Sequence, residues 1–194
     1  MDGQPVMDIA TFVGPNAAYY MARFHFLRLQ RTKMSWNWAA AFFPVEWLLY
    51  RKMNRPFWIV LALSLVLALP YLLLTFLTLR AVIADPALME TFLASYALPA
   101  DVCPPVLVFL ANIGSVLSLV LRVIMAFLAN HLYSRYVFRS IEKIRAECTG
   151  DRLYYRFVLS RKGGTSPLRV VLFYGAVFVL TIAAAFLLAV VLFP

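Results

Sequence analysis

SWNWAAAFFPVEWLLYRKMNR, residues 35–55, decides how this chain is read. Trp36, Ala40, Phe43, Trp47 and Tyr50 recur at spacings of four and three, which sets them on one face of a helix. As a helix, the run from Trp36 to Tyr50 would measure about 22 Å, short of the roughly 30 Å hydrocarbon core of a bilayer. Pro44 carries no amide hydrogen and disfavours helical geometry at Phe43, so the sequence predicts two short helices meeting at Pro44. Glu46 then falls in the first turn of the second piece, where the helix dipole favours an acid. The stretch is expected to lie in the plane of the cytoplasmic membrane surface. Trp36, Trp38, Trp47, Tyr50, Arg51 and Lys52 would be its interfacial, lipid-facing residues. A four-span architecture, in which the stretch crosses the bilayer, is opposed by its length and by the charge of its flanks.

On either side of this stretch the composition is that of a membrane protein. Of 194 residues, 63% are hydrophobic and only 14% charged, with a mean hydropathy of +0.81. Residues 57–79, 106–129 and 170–193 read as spans, the first with a kink expected at Pro70. The expected fold class is therefore an all-α integral membrane protein with three transmembrane helices plus cytoplasmic-face amphipathic and interfacial helices. Residues 1–56 would form the cytoplasmic amphipathic and tryptophan-rich segment, and residues 57–194 a three-span membrane domain with a cytoplasmic helical loop at 130–169.

Charge sets the orientation. Residues 1–56 carry seven basic and three acidic side chains and residues 130–169 nine and three, against one and three in residues 80–104. The positive-inside tendency then puts the N-terminus in the cytoplasm and the C-terminus outside, as for a bacterial inner-membrane protein. The net charge of +9 is accounted for by these segments, so nucleic acid is not an expected partner. The expected partners are the lipid bilayer, its anionic headgroups, and a further copy of the chain or another membrane protein. No cleavable signal or lipid anchor is expected from the residues at either end.

The connecting segments show helical patterning of their own. After Gly14-Pro15-Asn16, Tyr20, Phe24 and Leu27 share one side of a predicted helix, with His25, Arg28 and Arg31 on another. That pattern suits a basic amphipathic helix resting on anionic lipid, the alternative being a helix packed against the other cytoplasmic segments. Beyond the second span, Tyr133, Val137, Ile141 and Ile144 form an apolar stripe and Arg135, Arg139 and Lys143 a basic one. Tyr154, Tyr155 and Phe157 beside Arg152 and Arg156 suggest a surface-lying aromatic segment. Arg161-Lys162-Gly163-Gly164 reads as a turn, Ser166-Pro167 as a helix start, and Asp85-Pro86 as the cap of a short helix bearing Leu88, Met89, Phe92, Leu93 and Tyr96. Thr181, Ala185 and Ala189 give the last span a small-residue face suited to close packing.

Few residues suggest chemistry. Arg122 is an ionisable group within a span; it is expected either to extend to the headgroups or to form an intramembrane polar pair with Glu46. Asn112 reads as an intramembrane hydrogen-bonding group. Cys103 and Cys148 fall on opposite membrane sides, and His25 and His131 are isolated, so no metal or other cofactor is expected. No carboxylate, histidine or serine–base cluster stands at catalytic spacing, and the expectation is a non-enzymatic protein. It would dock on lipid or on a partner through its basic aromatic cytoplasmic face. The alternative is a subunit of a homo-oligomeric channel or transporter, with Arg122 and Asn112 lining the pathway.

Three stretches, FVGPNAAYYMARF, SWNWAAAFFPVEWLLYRKM and ANHLYSRYVFRSIEKI, occur in this order with spans between and after them. In this the chain resembles the bacterial membrane-protein family called domain of unknown function 2628, over residues 12–147. Similar members have a Trp-Asn-Trp-Ala-Ala-Phe-Phe run followed by Trp-Leu-Leu-Tyr-Arg-Lys-Met, here Trp36 to Phe42, with Ala41 where Phe is common, and Trp47 to Met53. The resemblance implies an integral bacterial membrane protein and brings no catalytic residues. Val45-Glu46 departs from the small or apolar pair expected there.

Overall fold

The computed structural model describes residues 6–85, 87–95, 100, 102–148 and 150–192. Its elements are α1 (Val6–Val13), α2 (Ala17–Leu29), α3 (Trp38–Phe42), α4 (Pro44–Tyr50), α5 (Asn54–Ala84), α6 (Ala87–Ser95), α7 (Pro105–Glu147), α8 (Arg152–Lys162) and α9 (Pro167–Leu192). Helices α5, α7 and α9 contain the three stretches long and apolar enough to cross a membrane. The protein is an all-α integral membrane protein with three transmembrane helices. Helix α5 runs through Pro70 without interruption. Pro86, Tyr96 and Phe193, which enter the sequence expectations, lie outside the described residues.

The chain separates into two compact units, one of Met1–Val60 with Arg122–Gly175 and one of Leu61–Leu121 with Ala176–Pro194. The first unit therefore draws residues from both sides of position 56.

The first unit has a dense core. Ile9, Phe12 and Val13 of α1, Tyr20, Phe24 and Leu27 of α2, Trp47 and Leu48 of α4, and Leu159 of α8 are buried with Tyr133, Val137, Ile141 and Ile144 of α7. The α7 stripe read from the sequence is thus the wall on which the unit is built. The α2 expectation needs correction: Tyr20, Phe24 and Leu27 face protein, not lipid. The rings of Tyr20 and Phe24 stand 4.9 and 5.8 Å from that of Tyr133. An amphipathic period calls for an apolar partner without saying which one.

Local chemistry sets the helix ends. Phe43 leaves helical geometry at φ −131°, ψ 63°, and Pro44 opens α4, so the helix breaks where the proline requires it. The Asp151 carboxylate accepts from the Leu153 amide at 2.8 Å and caps α8. Past α4, Lys52 takes the left-handed conformation at φ 60°. The Met53 amide donates to the Leu48 carbonyl at 2.9 Å, which ends the helix in a Schellman turn. After α8, a Cβ on Gly163 would stand 2.1 Å from the Phe12 carbonyl oxygen, so only glycine lets this turn close on the end of α1. The Gly164 amide donates to that same carbonyl at 2.6 Å.

The second unit buries little. Large apolar side chains such as Leu65, Tyr71, Phe109, Leu119, Phe178 and Phe186 are exposed, as expected of surfaces that face acyl chains. One close approach occurs: a Cβ on Gly114 of α7 would lie 2.3 Å from the Leu67 carbonyl oxygen of α5. Ser115 and Ser118 return their hydroxyls to the Ala111 and Gly114 carbonyls at 2.9 and 2.8 Å, which satisfies them inside the helix. Thr181, Ala185 and Ala189 of α9 are exposed within the single chain. Small side chains permit close approach without compelling it.

Candidate functional site

The site is built on the turn 51–56 between α4 and α5. Because the Schellman turn reverses the chain there, Arg51 points into the core, Lys52 leaves in another direction toward the end of α8, and Arg55 is exposed. Arg51 is 3% exposed. Its guanidinium carbon sits 4.3 Å from the Tyr20 ring centroid, 5.1 Å from Tyr133 and 5.6 Å from Tyr50. One terminal nitrogen donates to the Val13 carbonyl and to the Tyr133 hydroxyl, each at 3.4 Å, while Nε has no partner. Val13 ends α1, so the cation meets the negative end of that helix dipole as well as three ring faces. Burial pushes the Tyr133 phenol up to about 12 despite the opposing pull of Arg51, so it remains neutral and is no counter-ion.

A second polar knot ties the tryptophan stretch to α7. The Ser35 and Asn37 amides donate to the Phe127 and Ala126 carbonyls, each at 2.9 Å. Asn130, fully buried, donates its amide hydrogens to the Ser35 carbonyl (3.2 Å), the Ser35 hydroxyl (3.1 Å) and the Trp36 carbonyl (3.3 Å). Its own oxygen accepts from Asn37 at 2.9 Å, and Asn37 in turn caps α3 by accepting from the Ala40 amide at 3.2 Å.

Around this core lie two adjoining clefts of about 670 and 630 Å³, which share Lys52, Asn54, Tyr136, Ser140 and Lys143. Arg55, Arg135 and Arg139 extend one, and Arg161, Lys162 and Arg169 the other. Among the described lining residues there is no carboxylate. Arg135, Arg139 and Lys143 follow one another at every fourth position of α7, which keeps them on one face. The Lys52 ammonium donates to the Arg161 carbonyl (3.1 Å) and to the Gly163 carbonyl, and so caps α8. Burial, and then repulsion by Arg169, hold its pKa below the usual lysine range. Arg169 donates to the Asn54 side chain at 3.0 Å. Glu147, outside the clefts, pairs with Lys162 at 3.0 Å and Lys143 at 3.8 Å. Arg55, Arg135 and Arg139 are exposed and have no carboxylate partner among the described residues. Such a wall of donors and fixed positive charge has the chemistry that anion recognition requires.

Several of the expected site residues lie elsewhere than foreseen. Trp47 is 5% exposed, with its indole donating to the Tyr20 hydroxyl at 3.4 Å, so it belongs with Arg51 to the protein interior and not to the lipid surface. Lys52 likewise turns its ammonium to carbonyls of the protein. Trp36 is half-buried, its ring set 5.0 Å from both Trp38 and Phe127, and Tyr50 is half-buried beside Arg51. Trp38 is exposed and stacks on exposed Phe42 at 5.9 Å, as an interfacial aromatic would. Glu46 and Arg122 do not pair. Glu46 accepts from the Tyr174 hydroxyl at 2.7 Å, and Arg122 donates to the Phe42 carbonyl at 3.5 Å. Two α7 positions, 112 and 122, were singled out in the sequence; Asn112 is exposed. Asn130 was passed over, although an uncharged amide directly after the second apolar span, at the head of the third stretch, was a signal that could have found it.

The family model described as protein of unknown function (DUF2628) matches residues 11–139, and the chain belongs to that family. No curated protein and no solved structure matches the chain. The matched region takes in α2, the Ser35–Asn37 strip, the Arg51 turn, and Asn130, Tyr133, Arg135 and Arg139 of α7.

Proposed function

We propose that this is a non-enzymatic protein of a bacterial inner membrane, N-terminus inside and C-terminus outside, whose helical module docks on the anionic headgroups of the cytoplasmic leaflet. The observation that carries this reading is where the basic clefts stand along the helices. Arg55 precedes Trp58 and Ile59, which are 65% and 67% exposed, and Arg169 is followed by Val171 and Leu172, which are 65% and 62% exposed. The clefts thus open within a turn of where α5 and α9 become apolar on the outside, which is headgroup depth for a spanning helix. Exposed Trp38, Phe42 and Phe43 supply the aromatic belt suited to the same depth. The pathway alternative needs Arg122 turned to a channel, whereas its guanidinium reaches the Phe42 carbonyl.

Exposed Trp38 and Trp58 make the reading measurable. In vesicles of mixed lipids, brominated phosphatidylglycerol should quench the tryptophan emission several-fold more than the same fraction of brominated phosphatidylcholine. Raising the salt should narrow the difference. Equal quenching by the two lipids would refute headgroup selection.

A further inference from the structure

We propose that the cleft lined by Arg55, Arg135 and Arg139, with Lys52 and Lys143 behind them, is a binding site for a single phosphomonoester group. This rests on, and sharpens, the headgroup-docking reading. Lys52 and Lys143 line both clefts and are engaged, Lys52 by the Arg161 and Gly163 carbonyls and Lys143 by Glu147 at 3.8 Å, so what sets this cleft apart is its three guanidinium groups. In its neighbour, Lys162 is held by Glu147 at 3.0 Å, Arg169 by Asn54 at 3.0 Å, and Arg161 stacks 6.0 Å from the Phe157 ring. Here, three exposed guanidinium groups have no carboxylate among the described residues, and a lining free of acids offers no counter-charge.

Diffuse attraction to anionic lipid needs only exposed cations. This cleft is a shaped one of about 630 Å³, far larger than a phosphate, with its cations fixed on two elements. Arg135 and Arg139 are held one turn apart on α7, whose opposite face is locked in the core through Tyr133, Val137 and Ile141. Arg55 stands on the first turn of α5, fixed next to Met53 and Phe57, which are 1% and 3% exposed. Tyr136 ties the two elements together, since its hydroxyl donates to the Lys52 carbonyl at 3.2 Å. Guanidinium forks on rigid helices match phosphate oxygens in pairs, which lysines on a mobile tail do not. Three guanidinium groups without a carboxylate around one cleft favour a dianion over a monoanion. A phosphomonoester approaches two charges near neutral pH, and bridging phosphodiesters carry one. The chemistry is shared by phosphatidic acid in the membrane and by soluble sugar or glycerol phosphates.

The test uses the full chain in nanodiscs of phosphatidylcholine doped with either phosphatidic acid or phosphatidylglycerol, and reads the lipid retained on the protein by native mass spectrometry. Wild type should retain phosphatidic acid over phosphatidylglycerol by about tenfold. The double variant Arg135→Gln/Arg139→Gln should lose that preference. Arg152→Gln/Arg156→Gln, which removes the same charge from exposed positions of α8 outside the cleft, should keep it. Added glycerol 3-phosphate distinguishes the sources, and both results support the site: displacement shows that a soluble phosphomonoester enters it, and retention shows that the lipid-borne group holds it. If both double variants lose the preference alike, or neither does, the site is refuted. Equal enrichment of both anionic lipids over phosphatidylcholine also overturns the phosphomonoester site while leaving headgroup docking standing. No enrichment of either overturns both.

Discussion

Arg51 is a cation placed in the middle of a core, balanced by carbonyl and ring faces where a carboxylate would be the commoner partner. The arrangement works because a guanidinium is planar and weakly hydrated, so it can lie against Tyr20 and Tyr133 while its edge reaches the Val13 carbonyl. Lysine offers a compact, strongly hydrated charge and no plane. Arg51→Lys should therefore lower unfolding stability in detergent by about 2 kcal/mol, and Arg51→Ala, which also leaves a cavity between α1, α2 and α7, by about 3 kcal/mol. Arg55→Ala, on the exposed side of the same turn, should stay within about 0.5 kcal/mol of wild type. A denaturant melt of the three variants checks the order. If Arg51→Ala were no worse than Arg55→Ala, Arg51 would not be the residue that closes this core. The sequence could not show which of Arg51 and Lys52 enters the core and which caps α8, because adjacent basic residues after a helix look alike until the left-handed turn at Lys52 separates their directions.

At the scale of elements, α7 organises the first unit, and its face was legible for a physical reason. Tyr133, Val137, Ile141 and Ile144 repeat with the helical period among charges, and only a helix wall buries such a stripe. The break of the tryptophan stretch at Pro44 was legible because proline acts on the backbone wherever it sits. Helix α1 was not legible: eight residues are too few to be stable alone, and it forms because Ile9, Phe12 and Val13 are buried by its neighbours. The extended strip Ser35–Asn37 was also hidden, since its hydrogen bonds go to a helix far along the chain. Asn130 is the element-scale prediction. Asn130→Leu preserves helix propensity but leaves the Asn37 amide and the Ser35 and Trp36 carbonyls without their partner, at a cost of about 2–4 kcal/mol. The unfolding midpoint should fall, and emission from the tryptophan pair Trp36 and Trp38 should change before global unfolding. Retention of both properties would mean that the backbone bonds from Ser35 and Asn37 hold the strip alone.

For the whole molecule, three spans and the charge of the segments between them support the proposal that the segments carrying Arg51 and the basic clefts face the cytoplasm. The spans were legible because long uncharged apolar runs have few other uses. The core of the first unit was only partly so, since side chains read as lipid-facing, Trp47 and Tyr20 among them, are equally suited to burial in protein. Two free cysteines, both half-buried, report directly on that proposal, one on each side of the span that lies between them. Cys103 precedes α7 and Cys148 follows it. On intact spheroplasts, a membrane-impermeant maleimide should modify Cys103 and leave Cys148 untouched until the membrane is opened with detergent. Modification of Cys148 with Cys103 protected would reverse the orientation, and modification of both on sealed membranes would contradict the crossing itself.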